Sequence, residues 1–286
     1  MRALVTGGVG FVGSNLIKRL LKDGHDVTSL DNYSTGFKEN EQEGCKYVNI
    51  DIRDNFDDYV SDIDVIFHLA ALPRIKPSFE NPKEVCDINV GGTHNILDYA
   101  KNHKIPMIYA GSSSFWGGTH ENPYTFSKWQ GEELCKLYER IYGLSITICR
   151  FYNVYGDNMP ESGSYRTVLP IFLEQYKNGE PLTITGQGDQ RRDFTHVDDI
   201  IGAMMRIVQL NKWGSTFELG RGKNYSIKEL VLMISKFTDG KVSWTHIPEI
   251  RGEMKETLCK SELARKKLRW EPKINLNEWL EDKLCE

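Results

Sequence analysis

The sequence predicts an α/β protein with a doubly wound parallel sheet and a smaller C-terminal lobe, and three observations carry that prediction. Short apolar runs alternate with helix-length amphipathic segments through the first half of the 286 residues. Val65–Leu69 is a short apolar run of the kind expected in a strand covered on both faces. A glycine-rich turn, "TGGVGFVG" at Thr6–Gly13, joins the first apolar run to the first amphipathic segment.

Each element follows from its pattern. Ala3–Val5 reads as a strand, and Gly10–Leu21 as a helix whose apolar face is Val12, Leu16, Ile17, Leu20 and Leu21. Strands follow at Asp26–Leu30, Lys46–Ile50 and Val65–Leu69, then a helix over Val85–Asn102 and a strand at Met107–Ala110. A helix over Pro123–Tyr142 and a strand at Ser145–Cys149 complete the alternation. Beyond about residue 156, "GDNMPESGSYR" and "NGEPLTITGQGD" read as loops of the smaller lobe, and Phe217–Leu219 as a strand returning to the main sheet. The expected division is therefore 1–155 and 156–286, with some of the second part belonging to the main sheet. No internal repeat or linker interrupts the chain.

Composition excludes several classes. A net charge of −4 leaves no basic footprint for nucleic acid, and no apolar run approaches the roughly 20 residues of a membrane span. Six cysteines without a CxxC pair and seven scattered histidines offer neither a disulfide framework nor metal-ligand spacing. Reduced thiols, a cytoplasmic location and no metal are the expectation.

The glycines at Gly7, Gly10 and Gly13 have the spacing GxxGxxG between strand and helix. Such a turn lets backbone approach a pyrophosphate at a helix N-terminus; the plainer alternative is a tight turn that packs a helix on a strand. The next strand favours the first reading. It ends at Asp31, 18 residues after Gly13, where a carboxylate can accept from adenosine ribose hydroxyls and repel a 2′-phosphate. NAD, rather than NADP, is the cofactor this predicts. Asp51 and Ile52 fall beside the adenine in this reading, and the small Ala70 and Ala71 after "FHL" let a dinucleotide pass close to backbone.

"YTFSK" places Tyr124 and Lys128 at i and i+4, on one helical face. A nearby ammonium favours a phenolate and can also hold a ribose. Alone, the pair reads equally as a solvated face. Here it follows "YAGSSSFWG", whose three serines sit at the end of a strand, where open α/β sheets bind ligands.

With these motifs in order, the chain resembles the extended short-chain dehydrogenase/reductase family, in particular its nucleotide-sugar epimerases and dehydratases. "TGGVGFVGSNL", "DNYSTG", "HLAALP", "NVGGTHNIL", "SSS", "YTFSK", "RFYNVYG" and "RRDFTHVDDI" carry the resemblance over nearly the whole chain. It implies a Rossmann-type fold, tightly held NAD and catalysis by Tyr124, Lys128 and Ser112. It extends the cofactor set to Phe11, Val12, Asn32, Ser34, Thr35, Gly36, Leu69, Asn89 and Tyr152. Ser113 and Ser114 would line the sugar pocket, while Asn153 and Arg192 would hold the diphosphate. Arg191 either shares that role or is a surface residue, and the same choice applies to Arg251. A homodimer across the Lys83–His103 and Pro123–Tyr142 helices is also implied.

The resemblance leaves the reaction to the residues. The family's 4,6-dehydratases follow their catalytic hydroxyl with Asp-Glu; Ser113 and Ser114 stand there instead, and hydroxyls do not replace an acid and a base. The decarboxylase branch has a Ser-Glu pattern, also absent. The remaining outcome is return of the hydride to the other face of a 4-keto sugar: 4-epimerisation of a UDP-sugar. Thr257 falls where a tyrosine restricts some family members to hexoses without an acetamido group, which points to UDP-GlcNAc/UDP-GalNAc, with UDP-glucose/UDP-galactose also open; otherwise Thr257 is an ordinary strand residue. Only 12 positions separate Ser112 from Tyr124, a shorter segment than the family's, so a more open site is expected. A dehydratase or 4-ketoreductase, and a non-catalytic NAD-binding sensor or scaffold, stay as rivals.

Overall fold

The computed structural model describes residues 1–249 and 252–285. Its strands are β1 (Arg2–Thr6), β2 (Asp26–Asp31), β3 (Lys46–Asn49), β4 (Val65–His68), β5 (Met107–Ser112), β6 (Ile146–Phe151), β7 (Asn153–Tyr155), β8 (Leu182–Thr185), β9 (Arg191–His196), β10 (Ser215–Leu219), β11 (Asn224–Ser226) and β12 (Trp244–Ile247). The helices are α1 (Phe11–Lys22), α2 (Ile75–Glu80), α3 (Pro82–Cys86), α4 (Thr93–His103), α5 (Pro123–Tyr142), α6 (Val168–Lys177), α7 (Val197–Gln209), α8 (Ile227–Phe237), α9 (Leu263–Leu268) and α10 (Leu276–Cys285).

The main sheet is parallel throughout, in the order β10-β6-β5-β4-β1-β2-β3. The order reverses between β1 and β4, so the crevice beyond their C-terminal ends is where such a sheet takes a ligand. Successive side chains of β1 feed two separate cores. Ala3 and Val5 pack with Leu16, Ile17 and Leu20 of α1 and Ile200 and Met204 of α7. Leu4 packs on the other side with Ile96, Leu97 and Ala100 of α4. Alternating strand geometry with both faces apolar is what makes the sheet doubly wound. Truncating a wholly buried side chain such as Leu16 to alanine costs about 2–5 kcal/mol.

A third core, including Tyr155, Phe172, Leu182, Phe194, Leu230 and Leu280, lies among α6, α8, α10 and two smaller sheets, β11-β9-β7 and β12-β8. Here the structure corrects the sequence reading, because "NGEPLTITGQGD" contains β8. Leu182 and Ile184 are buried at alternate positions, a two-residue signal too short to stand out between glycines. Phe217–Leu219 does return to the main sheet, as edge strand β10.

The expected helix over Val85–Asn102 is interrupted. Between α3 and α4, Asp87–Gly92 widens into a π-helical stretch. Gly92 lies against Ile52, where a Cβ would come within 2.4 Å of the Ile52 side chain. The buried Asn89 is held by the backbone of Leu72 on both its amide groups. Helix α5 keeps the expected bounds because its ends are written into the sequence: Asn122 caps the Thr125 N–H at 2.8 Å, Pro123 opens the first turn, and Gly143 closes the helix at φ +67°.

Candidate active site

The β1–α1 turn is shaped for a ligand that approaches backbone. A Cβ on Gly13 would stand 2.0 Å from the Gly7 carbonyl oxygen, and one on Gly7 would stand 2.9 Å from the Ala70 backbone. Gly10, at the helix N-cap, brings no side-chain cap, so the first N–H groups of α1, from Phe11, Val12 and Gly13, keep their donors for an anion. The loop after β2 closes over this turn. Gly36 packs on Val9, and both Phe37 N–H and the Asn40 amide donate to the Val9 carbonyl. Ser34 and Thr35 precede Gly36 in that loop.

Asp31 is buried at the end of β2, accepting from the N–H groups of Val9 at 3.0 Å and Tyr33 at 2.8 Å. Burial raises its pKa, and those two donors oppose the rise. Asn32 donates to Asp51 at 2.8 Å. Asp51 is gripped by Arg53, which holds its carboxyl down at about 2. Leu69 and Ala70 follow β4 and direct their N–H groups to the Thr6 hydroxyl, with Ala71 next in the chain. A glycine turn without room for side chains, an uncapped helix end and a buried carboxylate one strand away together fit NAD.

A buried hydrogen-bond chain ties this turn to helix α5. Thr93 donates to the Asn89 carbonyl at 2.7 Å, so its oxygen must accept from His68 Nε2, 2.9 Å away. His68 Nδ1, 2.7 Å from Thr6, then accepts the hydroxyl proton of Thr6. Burial, assisted by the charge of Lys128, pushes the His68 pKa down to about 3, so this ring is neutral and its tautomer is fixed by its neighbours. Asn89 donates onward to Ser127, which donates to the Tyr124 carbonyl.

Tyr124 is in the first turn of α5, and the hydroxyl of Ser112 at the end of β5 acts on its phenol. Ser112 in turn donates to the Ser114 hydroxyl at 2.9 Å. Ser113 and Ser114 are buried. Burial raises the Tyr124 pKa, and the groups opposing that rise are Ser112 and the guanidinium of Arg74. The sequence reading gave this work to Lys128. Lys128 is one turn along, buried, with its Nζ 4.3 Å from the centre of the Tyr109 ring. Burial pushes its ammonium down to about 8, opposed by Glu132 and Cys135.

Glu132 belongs to a buried ionic network that the sequence reading missed. Arg150 bonds Glu132 at 2.6 Å and Glu218 at 3.3 Å, and stacks on Phe115. Glu218 also accepts from Trp116 at 2.8 Å and from the Tyr152 hydroxyl at 2.5 Å. The network fixes the segment that follows the serines and commits the Tyr152 hydroxyl. Glu132 at i+4 from Lys128 was a visible signal; Arg150 and Glu218 are on other strands and were not.

The residues expected at the diphosphate are partly gathered. Arg192 is buried and bonds Glu253 at 2.7 Å. Arg191 is committed elsewhere, to Asn224 and Glu229. Thr257 is buried, donating to Asn153 Oδ1 at 3.1 Å and accepting from the Asp193 N–H at 3.1 Å. Its hydroxyl therefore joins β7 to β9. Arg251 lies outside the described residues. A cleft of ≈ 310 Å³ opens beside these groups, bordered by Ser114, Trp116, Asn122, Glu253 and Met254. All six cysteines are free, and no cluster of metal-ligating side chains occurs among the described residues. No helix among them is long and apolar enough to cross a membrane.

Known proteins share this architecture. The model of the "NAD dependent epimerase/dehydratase family" matches residues 3–220. A putative UDP-glucose 4-epimerase of Methanocaldococcus jannaschii is 35% identical over 96% of this chain and 94% of its own. A UDP-N-acetyl-alpha-D-glucosaminuronate decarboxylase of Bacillus cytotoxicus is 33% identical over 86% of this chain and 83% of its own. The crystal structure of a UDP-glucuronic acid 4-epimerase from Bacillus cereus, in complex with UDP-glucuronic acid and NAD, superposes with a TM-score of 0.92 at 27% identity, covering 100% of this chain and 98% of that one. With three quarters of its length matched and the cradle described above, the chain belongs to the NAD-dependent epimerase/dehydratase family, and NAD is its cofactor.

Proposed function

We propose that the protein is a UDP-sugar 4-epimerase. The observation that carries this reading is the set Tyr124–Ser112–Ser114 at the mouth of the cofactor crevice, with hydroxyls instead of carboxylates directly after Ser112. Bound NAD supplies a hydride acceptor, and then a hydride donor, at C4 of the sugar. Tyr124 takes the proton from O4 and later returns it, while Ser112 hydrogen-bonds the same oxygen. Lys128 and Asn89 orient the cofactor side. Arg192 and Asn153 hold the diphosphate, so the keto sugar turns while it stays tethered. In the free protein Glu253 occupies Arg192, and a bound diphosphate takes its place.

In this reading residues 1–155 carry the cofactor and the catalytic groups, and 156–286 mostly hold the nucleotide. The resemblance assigns the small Thr257 to the C2 side of the sugar, which supports UDP-GlcNAc/UDP-GalNAc first and UDP-glucose/UDP-galactose second, although its hydroxyl is bonded to Asn153 and the Asp193 N–H. The exposed Leu137, Ile141 and Tyr142 on α5 support a homodimer across α4 and α5. The free thiols support a cytoplasmic location. The test is to incubate the purified protein, without added cofactor, with UDP-GlcNAc and with UDP-glucose and to read the products by proton NMR. The matching 4-epimers are expected. A 4-keto-6-deoxy product would instead identify a dehydratase, and no product, even with NAD added, would favour a binding protein.

A further inference from the structure

The ammonium of Lys128 has no carboxylate of its own. It is buried on α5, and among the described residues its Nζ makes no hydrogen bond or ion pair. Glu132, one turn further along the helix, is already spent: both its oxygens accept from Arg150, at 2.6 to 3.1 Å. What stands against the ammonium is an aromatic face, with Nζ 4.3 Å from the centre of the Tyr109 ring. Both side chains are withdrawn from water, Tyr109 completely. A cation over a ring is held most firmly in such a place, because water no longer competes for the charge.

The fold builds this contact with two glycines. Tyr109 and Gly111 are two apart on β5, on the face that α5 covers. A Cβ on Gly111 would stand 2.8 Å from a Glu132 oxygen, and one on Gly131 would stand 2.2 Å from Tyr109 Oη. Helix and strand therefore approach closely enough for the phenol to tuck beneath α5, where its Oη donates to the Lys128 carbonyl at 3.4 Å. Lys128, three residues before Gly131 on the same helical face, then covers the ring. The other titratable neighbours supply no counter-charge. His68 on β4, its ring 5.7 Å from that of Tyr109, is neutral, burial keeps the Cys135 thiol protonated, and burial likewise favours the neutral phenol of Tyr124.

A carboxylate partner would cancel the charge and take up the N–H donors. A ring face fixes the ammonium and leaves the donors that do not face it open to a hydroxyl, such as that of a ribose. We infer that Tyr109 is a positioning residue of the site: its ring seats the Lys128 ammonium, holding the charge in place while its N–H donors stay free for the cofactor. Gly131 is the companion that makes room for that ring. This inference rests on the role of Lys128 in the 4-epimerase reading and deepens it. The working part of Tyr109 is the ring face, not the hydroxyl.

The experiment varies the ring and reads the ammonium. In the NAD-bound protein, Tyr109 is replaced by phenylalanine and by its mono-, di- and trifluoro analogues, since fluorine draws electron density from a ring face and adds little bulk. The titration of Lys128 is followed by carbon NMR of labelled lysine, with Lys128→Met identifying its signal. Tyr109→Phe is expected to titrate as the wild type does. Each fluorine then lowers the proton affinity of Lys128, by about tenfold over the series, and Tyr109→Leu matches the end of it. Above that titration kcat falls by the same factor at unchanged KM. A titration that ignores fluorination, or Tyr109→Phe falling as far as Tyr109→Leu, would overturn the inference, and so would a kcat that stays constant while Lys128 follows the series. Should Tyr109→Leu not fold, the fluorinated series decides alone. Absence of a 4-epimer from every UDP-sugar defeats the proposed function, and the titration then decides the seat by itself.

Discussion

At the β1–α1 turn the important groups are backbone N–H donors and missing side chains, and the polar side chains nearby already have partners. Thr6 is bonded to His68, Asp31 to two N–H groups, and Asn89 to Leu72 and Ser127. The end of the crevice proposed for the sugar is the opposite. Tyr124, Ser112, Arg74 and Glu253 are side chains from three separate stretches of the chain, and Glu253 is held by Arg192 and Ser112 by Ser114. In the proposed reading the first region binds because it is rigid and preorganised, and the second by exchanging the Arg192–Glu253 pair for the ligand. Substitutions should therefore separate cofactor retention from chemistry.

Tyr124→Phe is the largest break expected. It removes the phenol on which Ser112 acts, and kcat should fall by about 10²–10⁴-fold, the usual worth of a positioned acid–base group. Bound NAD, read by its absorbance after release, should stay at the wild-type level. Loss of cofactor together with activity would show that the two ends are not separable.

Arg150→Met comes next, because it strands Glu132 and Glu218 without their cation. Breaking a buried pair by removing one partner costs about 3–5 kcal/mol. Denaturant unfolding should show a loss of that size; a change below 1 kcal/mol would mean the network is not structural. Gly13→Ala should cost about 1–3 kcal/mol through the 2.0 Å clash with the Gly7 carbonyl oxygen, and should strip the protein of cofactor. A variant that keeps both its stability and its NAD would contradict the cradle.

A pH-dependent effect, which vanishes at high pH, sharpens the role of Lys128. Its ammonium titrates at about 8 in the folded chain, below its usual 10.5, because of burial. Between those values the unfolded chain holds the extra proton, so stability rises with pH there. Urea unfolding of cofactor-stripped protein should therefore find Lys128→Met more stable than wild type below pH 8, by up to about 3 kcal/mol, with the gap closing as pH rises toward 10.5. A gap independent of pH would remove burial as the cause.

How much the sequence revealed follows the same division. The cofactor end was legible because each of its parts is local: GxxGxxG between strand and helix, Asp31 at the end of a strand, Ala70 and Ala71 after β4. Tyr124 and Lys128 were legible for the same reason, being one helical turn apart with a written N-cap at Asn122. Arg74, Glu253 and the Arg150 network were not, since their meaning depends on contacts across 18 to 179 positions of chain, such as Arg150 with Glu132 and the charges of Arg74 and Glu253 on one another. The partner of Tyr124 illustrates the limit. Spacing put Lys128 on its helical face, whereas the charge that favours its phenolate is that of Arg74, from a distant stretch of chain. In the smaller lobe, β8 was missed because two buried alternate residues between glycines resemble a loop.

The central claim is that a hydride leaves C4 and returns to the same carbon. The most direct test supplies UDP-glucose and UDP-glucuronate deuterated at C4 to the protein with its own bound NAD, and reads the products by NMR and mass. The account predicts 4-epimers that keep the deuterium at C4. Deuterium moved to C6, lost to solvent, or left in unreacted substrate by protein that carries NAD would contradict it.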